Sequence, residues 1–275
     1  IYSLATSSMG GGSVSFISLF MAGVVPGVLL ALAIIALCLV YAYRDKHPRG
    51  ELVPWRDALR MSLGACWGLG TLVIILGGIL SGIFTAIEAG AVACVYAFIV
   101  TMVIYRDYRW RDLPVLVHRT VRTVAMVMTL IAFASAFGYM LALMQLPTKV
   151  TTFFLTLSSD KNVILMLVNV LLLILGCLMD MSPLILILTP IMLPVVKVLG
   201  VDPVHFGMIM MVNLGIGLIT PPVGTVLFVG SAIGRVAIGT LVRAMAPFFV
   251  AMFVVLMMVT YIPWLSLWLP RLLGL

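Results

Sequence analysis

The stretch Asn213–Phe228, NLGIGLITPPVGTVLF, decides how this chain is read. It is apolar enough to continue a membrane helix, yet Pro221 and Pro222 stand together in its middle. Proline lacks a backbone N–H and pushes the residue before it out of the helical region, so no continuous helix is expected through Thr220. The carbonyls freed by that break need partners, because hydrocarbon offers none. The apolar arms on either side, about 15 and about 11 residues, are each too short to cross a bilayer at about 1.5 Å per residue. Val204–Ile233 is therefore expected to enter and leave on one side, as a re-entrant hairpin with Thr220, Pro221 and Pro222 at its tip.

Composition sets the surroundings of that hairpin. The chain has 275 residues, 64% of them hydrophobic and only 9% charged, against about 25% charged in soluble domains. Repeated apolar runs of about 20 residues separated by short polar loops mark a polytopic membrane protein in a lipid bilayer rather than a single anchor or signal peptide. The net charge of +7 then reports orientation, since cytoplasmic loops collect Lys and Arg, and calls for no nucleic-acid partner. Cys38, Cys66, Cys94 and Cys177 lie inside apolar spans without C-x-x-C spacing and read as small packing residues. The chain opens at Ile1 with no initiator Met, so a fragment of a longer protein is expected.

Spans are expected at about 19–43, 61–81, 86–105, 124–144 and 241–261. The basic loops 44–60 and 106–122 are separated by two crossings, which puts both on the cytoplasmic side. A connector helix is expected over 145–161. The block 162–199 is interrupted by GCLMDMSP, Gly176–Pro183. Read as two crossings it leaves Lys197, Arg235 and Arg243 outside, and read as one crossing with an unwound middle it puts them in the cytoplasm, which the charges favour. Pro26 in LFMAGVVP echoes Pro247 in LVRAMAP, so residues 1–18 resemble part of a first hairpin of opposite orientation. The expected fold is all-α, with inverted repeats, broken helices and re-entrant hairpins, a transporter arrangement.

The two breaks carry the candidate chemistry. Gly215, Gly217 and Gly224 permit tight backbone geometry, and exposed carbonyls with the Thr220 hydroxyl suit a small hard cation such as Na+, while helix N-terminal N–H groups suit a carboxylate. The plainer alternative is a proline kink patched by neighbouring helices. Asp180 falls at membrane depth, where ionisable groups default to a functional reading, although Ser182 before Pro183 also fits an N-cap. Thr85–Glu88 matches a capping box, which explains both polar residues without a ligand. The pairs Gly64/Gly68, Gly78/Gly82 and Gly230/Gly234 have the spacing of helix-packing glycines. His47, His118 and His205 are far apart, and no nucleophile–base pair or metal cluster stands out, so an enzyme is not expected.

Three motifs then carry a resemblance that runs along essentially the whole chain: SGIFTAIEAGAVACVYA (Ser81–Ala97), LILTPIMLPVVKVLGVDPVHFG (Leu186–Gly207) and NLGIGLITPPVG (Asn213–Gly224). With them the sequence resembles the large membrane subunit of the TRAP transporters, the tripartite ATP-independent periplasmic carriers. The first motif has Ala86 and Ile87 where the family pattern has Pro and Thr. The resemblance implies an elevator-type secondary transporter of the bacterial inner membrane, in which Na+ and an organic anion bind at two hairpins of a mobile domain. It implies a Na+ site at Gly176, Gly217, Thr220 and Val223, with Asp180, Asn213, Pro221, Pro222 and Gly224 at the substrate-facing tip. A second Na+ site would precede Ile1, so this chain alone is not expected to transport.

The implied organisation is a hairpin remainder over 1–18, mostly scaffold over 19–160, a broken helix and second hairpin over 161–240, and a final span over 241–275. Na+ serves as coupling ion, with no cofactor. The implied partners are a small membrane subunit and a periplasmic substrate-binding protein that delivers a carboxylate. The alternatives are a proton- or Na+-coupled anion transporter of another elevator family, working through Asp180, and a non-transporting membrane scaffold subunit.

Overall fold

The computed structural model describes residues 1–7, 14–46, 54–106, 109–158 and 160–275. The expected loop at 44–60, with His47, and part of the first-hairpin remainder at 1–18 fall largely or partly outside these residues. Among the described residues the chain is all helical, and seven helices are long and apolar enough to cross a membrane. The chain divides into two compact units, Ile1–Lys46 with Thr129–Leu275, and His47–Met128.

In the second unit, α3 (Trp55–Leu80) packs on α4 (Ala86–Ile99), which continues through a short π-helical stretch, Val100–Ile104. The turn between them is closed by the expected capping box, in which the Glu88 N–H donates to Thr85 Oγ1 at 3.3 Å and the Thr85 N–H donates to Glu88 Oε2 at 2.8 Å. Two tyrosines pin the helices together: the Tyr96 hydroxyl donates to Trp67 O at 2.9 Å and the Tyr105 hydroxyl to Gly64 O at 2.6 Å. Of the expected packing glycines here, Gly78 lies under Phe84 while Gly64, Gly68 and Gly82 face open space, and Gly70, outside those pairs, lies under Tyr96. The helix α5 (Leu113–Leu143) starts well before the expected Val124. His118, Arg119 and Arg122 thus sit on a helix rather than in a loop, because only the apolar part of a helix has to match the bilayer thickness.

The first unit is built from α1 (Tyr2–Ser7), α2 (Phe16–Arg44), the end of α5, α6 (Leu146–Leu157), α7 (Lys161–Leu178), α8 (Met181–Val198), α9 (Pro203–Gly217), α10 (Thr225–Gly234), α11 (Ile238–Tyr261) and α12 (Trp264–Leu272). The 162–199 block forms two 18-residue helices, each apolar and long enough to cross a bilayer by length and composition, parted inside the expected interruption at Gly176–Pro183. Only Met179 and Asp180 are extended between them. Asp180, not Ser182, is the N-cap of α8, and its carboxylate makes no cap bond.

The short helix α9 is the centre of this unit. It packs on α7, α8, α11, α2 and α12, whereas α10 packs on α11, so the two arms of the expected hairpin do not lie side by side along their length. Phe206, Ile209, Met210 and Leu214 of α9 are fully buried against Ile164 and Leu172 of α7, Val195 and Val196 of α8, and Leu256 and Val259 of α11. Asp202 caps α9 by accepting from the Val204 and His205 N–H groups, with Pro203 at the first helical position, as proline's preset φ favours. Tyr2 of α1 reaches the same turn, donating to Pro203 O at 2.7 Å.

Candidate functional site

Two backbone interruptions meet in this unit. The first follows α7, where the chain is extended through Met179 and Asp180. The second follows α9, where 218–224 forms a turn with a cis Pro221–Pro222 peptide and Gly224 at φ +43°. Gly176 stays in the last turn of α7 and Gly217 in that of α9, and here the two backbones touch. A Cβ on Gly217 would stand 2.7 Å from the Gly176 carbonyl carbon and 2.8 Å from its Cα. The Gly224 N–H crosses over and donates to Cys177 O at 3.3 Å.

Both helices therefore present their C-terminal, partially negative ends to one place. Both following helices, α8 and α10, start from the same two breaks with their partially positive ends. Thr220 is half-buried, and its hydroxyl donates to Ile216 O at 2.7 Å, so the oxygen's lone pairs are what remain for another partner. The turn closes on itself, with the Thr220 N–H donating to Gly217 O at 2.9 Å and the Val226 N–H to Leu218 O at 3.2 Å. Pro221, Pro222 and Val223 are exposed, and Asp180 is exposed beyond the end of α7.

Of the residues the sequence points to, Gly176, Gly217, Gly224 and Thr220 come together, with Thr220 O only 2.8 Å from where a Gly224 Cβ would lie. Asn213 does not join them at a tip. It is completely buried and its amide donates to Asn169 on α7, because it lies one turn earlier on a helix whose whole face is packed. Sequence reading passed over Asn169, Cys177 O and Thr260; a lone amide in the apolar run of α7 is the one signal that pointed to Asn169. No three His, Cys, Asp or Glu side chains gather as a metal site among the described residues. A cavity of about 550 Å³ lies away from the breaks, between α1, α5, α6 and α8, lined by residues including Ser135, Gly138, Tyr139 and Pro190.

Apolar helices interrupted by two breaks that meet define a multi-pass membrane protein with broken helices. The chain belongs to the family described as "Tripartite ATP-independent periplasmic transporter, DctM component", which matches residues 1–265. It is 42% identical over 274 residues to the C4-dicarboxylate TRAP transporter large permease protein DctM of Pseudomonas aeruginosa, covering 100% of this chain and 63% of that relative. It is 36% identical over 255 residues to the sialic acid TRAP transporter large permease protein SiaM of Vibrio cholerae, covering 93% of this chain and 60% of the relative. An uncharacterized protein of Salmonella typhimurium, YgiK, is 41% identical over 272 residues, 99% of this chain and 61% of its own length. The chain thus spans about 61–64% of the length of its DctM and YgiK relatives. It is a multi-pass protein of a bacterial inner membrane and not an enzyme.

Proposed function

We propose that this chain is part of the permease subunit of a Na+-coupled symporter that imports an organic carboxylate. In this reading a periplasmic binding protein delivers the substrate, and a small membrane subunit, separate or fused, completes the membrane complex. The observation that carries the reading is the meeting of the α7 and α9 C-termini, fastened by Gly224 N–H to Cys177 O. Two negative helix ends and the free lone pairs of Thr220 favour a small cation, with Gly176, Gly217, Thr220 and Val223 around it. The positive starts of α8 and α10 favour the anion nearby, at the tip where Pro221, Pro222 and Gly224 lie, and Asp180 stands at the first of these starts. Relatives named for C4-dicarboxylate, sialic acid and 2,3-diketo-L-gulonate support a carboxylate, since each of those compounds carries one.

The cation binds only the arrangement in which both breaks are closed on one another, so its binding shifts the population toward that state. A closed second break completes the anion site, and coupling follows because the two ligands share the same backbone. An elevator movement of this unit would then carry both across the membrane.

The test is uptake by the full-length permease, reconstituted with its partners in proteoliposomes. Uptake is expected to require Na+ and to vanish when choline replaces it. Thr220→Val, which removes the lone pairs and keeps the shape, is expected to raise the Na+ concentration for half-maximal uptake about tenfold, the equivalent of about 1.4 kcal/mol. Thr220→Ser is expected to stay near wild type. Full uptake without Na+ would end the proposal.

A further inference from the structure

A chain of polar bonds runs through the apolar core of the first unit, beginning one turn before Gly217 on α9 and two turns before Gly176 on α7. Asn213 of α9 donates through Nδ2 to both Asn169 O at 2.9 Å and Asn169 Oδ1 at 2.8 Å. Asn169 of α7 donates to Thr260 Oγ1 of α11 at 3.0 Å, and that hydroxyl donates to Leu256 O at 2.8 Å. His205 Nε2 lies 3.3 Å from Thr260 O, and because a carbonyl only accepts, that nitrogen carries the proton. All four residues are at most 2% exposed. The direction of every bond is set, since Asn213 Nδ2 faces two acceptors and can only be the amino end. Asn213 Oδ1 has no partner among the described residues, so the contribution of this amide lies in its two donors.

Around this chain the contacts are apolar, and apolar contact is non-directional, so it tolerates sliding of one helix along another. Hydrogen bonds do not tolerate it, because they weaken steeply with angle and leave buried polar groups unpaired when they break. Asn213 is four residues, about one turn, before Gly217, and Asn169 is on the same helix as Gly176.

We propose that Asn169 and Asn213 are positioning residues: their amide chain, anchored on Thr260, sets the register of α9 on α7 and thereby holds Gly217 over Gly176 and the Gly224 N–H at Cys177 O. For its consequence in transport this rests on the ion-site reading above. The geometric claim stands apart from it. The chain makes α7, α9 and α11 one mechanical piece, and a change in any of its members is felt at a break that none of them touches.

The test uses the full-length permease with its partner subunits, read by amide hydrogen exchange over 217–226 and by the Na+ concentration for half-maximal uptake. Asn213→Asp turns the donor pair into an acceptor facing two acceptors. It is expected to speed exchange over 217–226 at least tenfold while α8 is unchanged, and to raise the Na+ requirement about tenfold. Asn169→Leu with Asn213→Leu is expected to be no worse than either alone, as for two members of one bond. Should those variants fail to fold, Thr260→Val, at the far end of the chain, is expected to give a change of the same sign and about threefold. Unchanged exchange over 217–226 in a folded variant, or independent additive effects of the two asparagines, would overturn the proposal. If wild-type uptake ignores Na+, the ion reading fails, and the exchange result alone decides the positioning claim.

Discussion

Gly217→Ala is expected to abolish Na+-dependent uptake and to lower the thermal stability of the permease, whereas Gly176→Ala, at the other side of the same contact, is expected to do far less. The reason is what each new methyl would meet. At Gly217 it would stand within 3.0 Å of three backbone atoms of Gly176, and backbone cannot turn aside as a side chain can. The helices must then separate, at the place where both breaks are assembled. Overpacking of this kind costs about 1–3 kcal/mol, occasionally more, and the displacement also pulls the Gly224 N–H from Cys177 O. At Gly176 the nearest atom is a methyl of Leu214 at 3.2 Å, followed by Gly217 Cα at 3.4 Å, and a rotation of that leucine absorbs most of the intrusion. Thermal unfolding and uptake of the two variants decide it. Equal effects would mean that the α7–α9 contact is not the close approach described.

Gly224→Val is the second large effect, and two causes add. At φ +43° an L side chain is strained, by about 1–2 kcal/mol, and its Cβ would stand 2.8 Å from Thr220 O and 2.9 Å from Leu227 Cδ1. With about 1–3 kcal/mol for the overpacking, the sum of about 2–5 kcal/mol corresponds to a loss of roughly 30- to 4000-fold in occupancy of the closed turn. Gly200→Val separates the two causes. Gly200 has φ +66° but faces open space, so it is expected to show the backbone strain alone, with Na+-dependent uptake retained. If the two variants behave alike in uptake, the turn around Gly224 has no bearing on transport.

Much of this arrangement is legible along the chain because it rests on local causes. Pro221 and Pro222 forbid a helix wherever they fall, the apolar runs of α2, α3 and α11 announce their length, and Thr85 with Glu88 closes a helix start within four residues. Boundaries were less legible: Arg119 and Arg122 ride on α5 although they fall in an expected loop, and 162–199 stands as two helices parted at Met179 and Asp180. What stayed hidden is which surfaces meet. Nothing near Asn213 says that it turns toward α7 instead of the exposed prolines, because that depends on the rotation of α9 among five neighbours. Nor does the motif say that α9 leaves α10 for α7, since partners so far apart in sequence are chosen by how their faces fit.

The joint between the two breaks consists of a glycine against a glycine and one amide against one carbonyl. Nothing in it is a side-chain contact, so mutation has little there to adjust: a Cβ at Gly217 or Gly224 meets backbone atoms at under 3 Å. A fastening of that sort resists tinkering. A change of the surrounding side chains leaves its two main-chain contacts, Gly217 on Gly176 and Gly224 N–H on Cys177 O, in place.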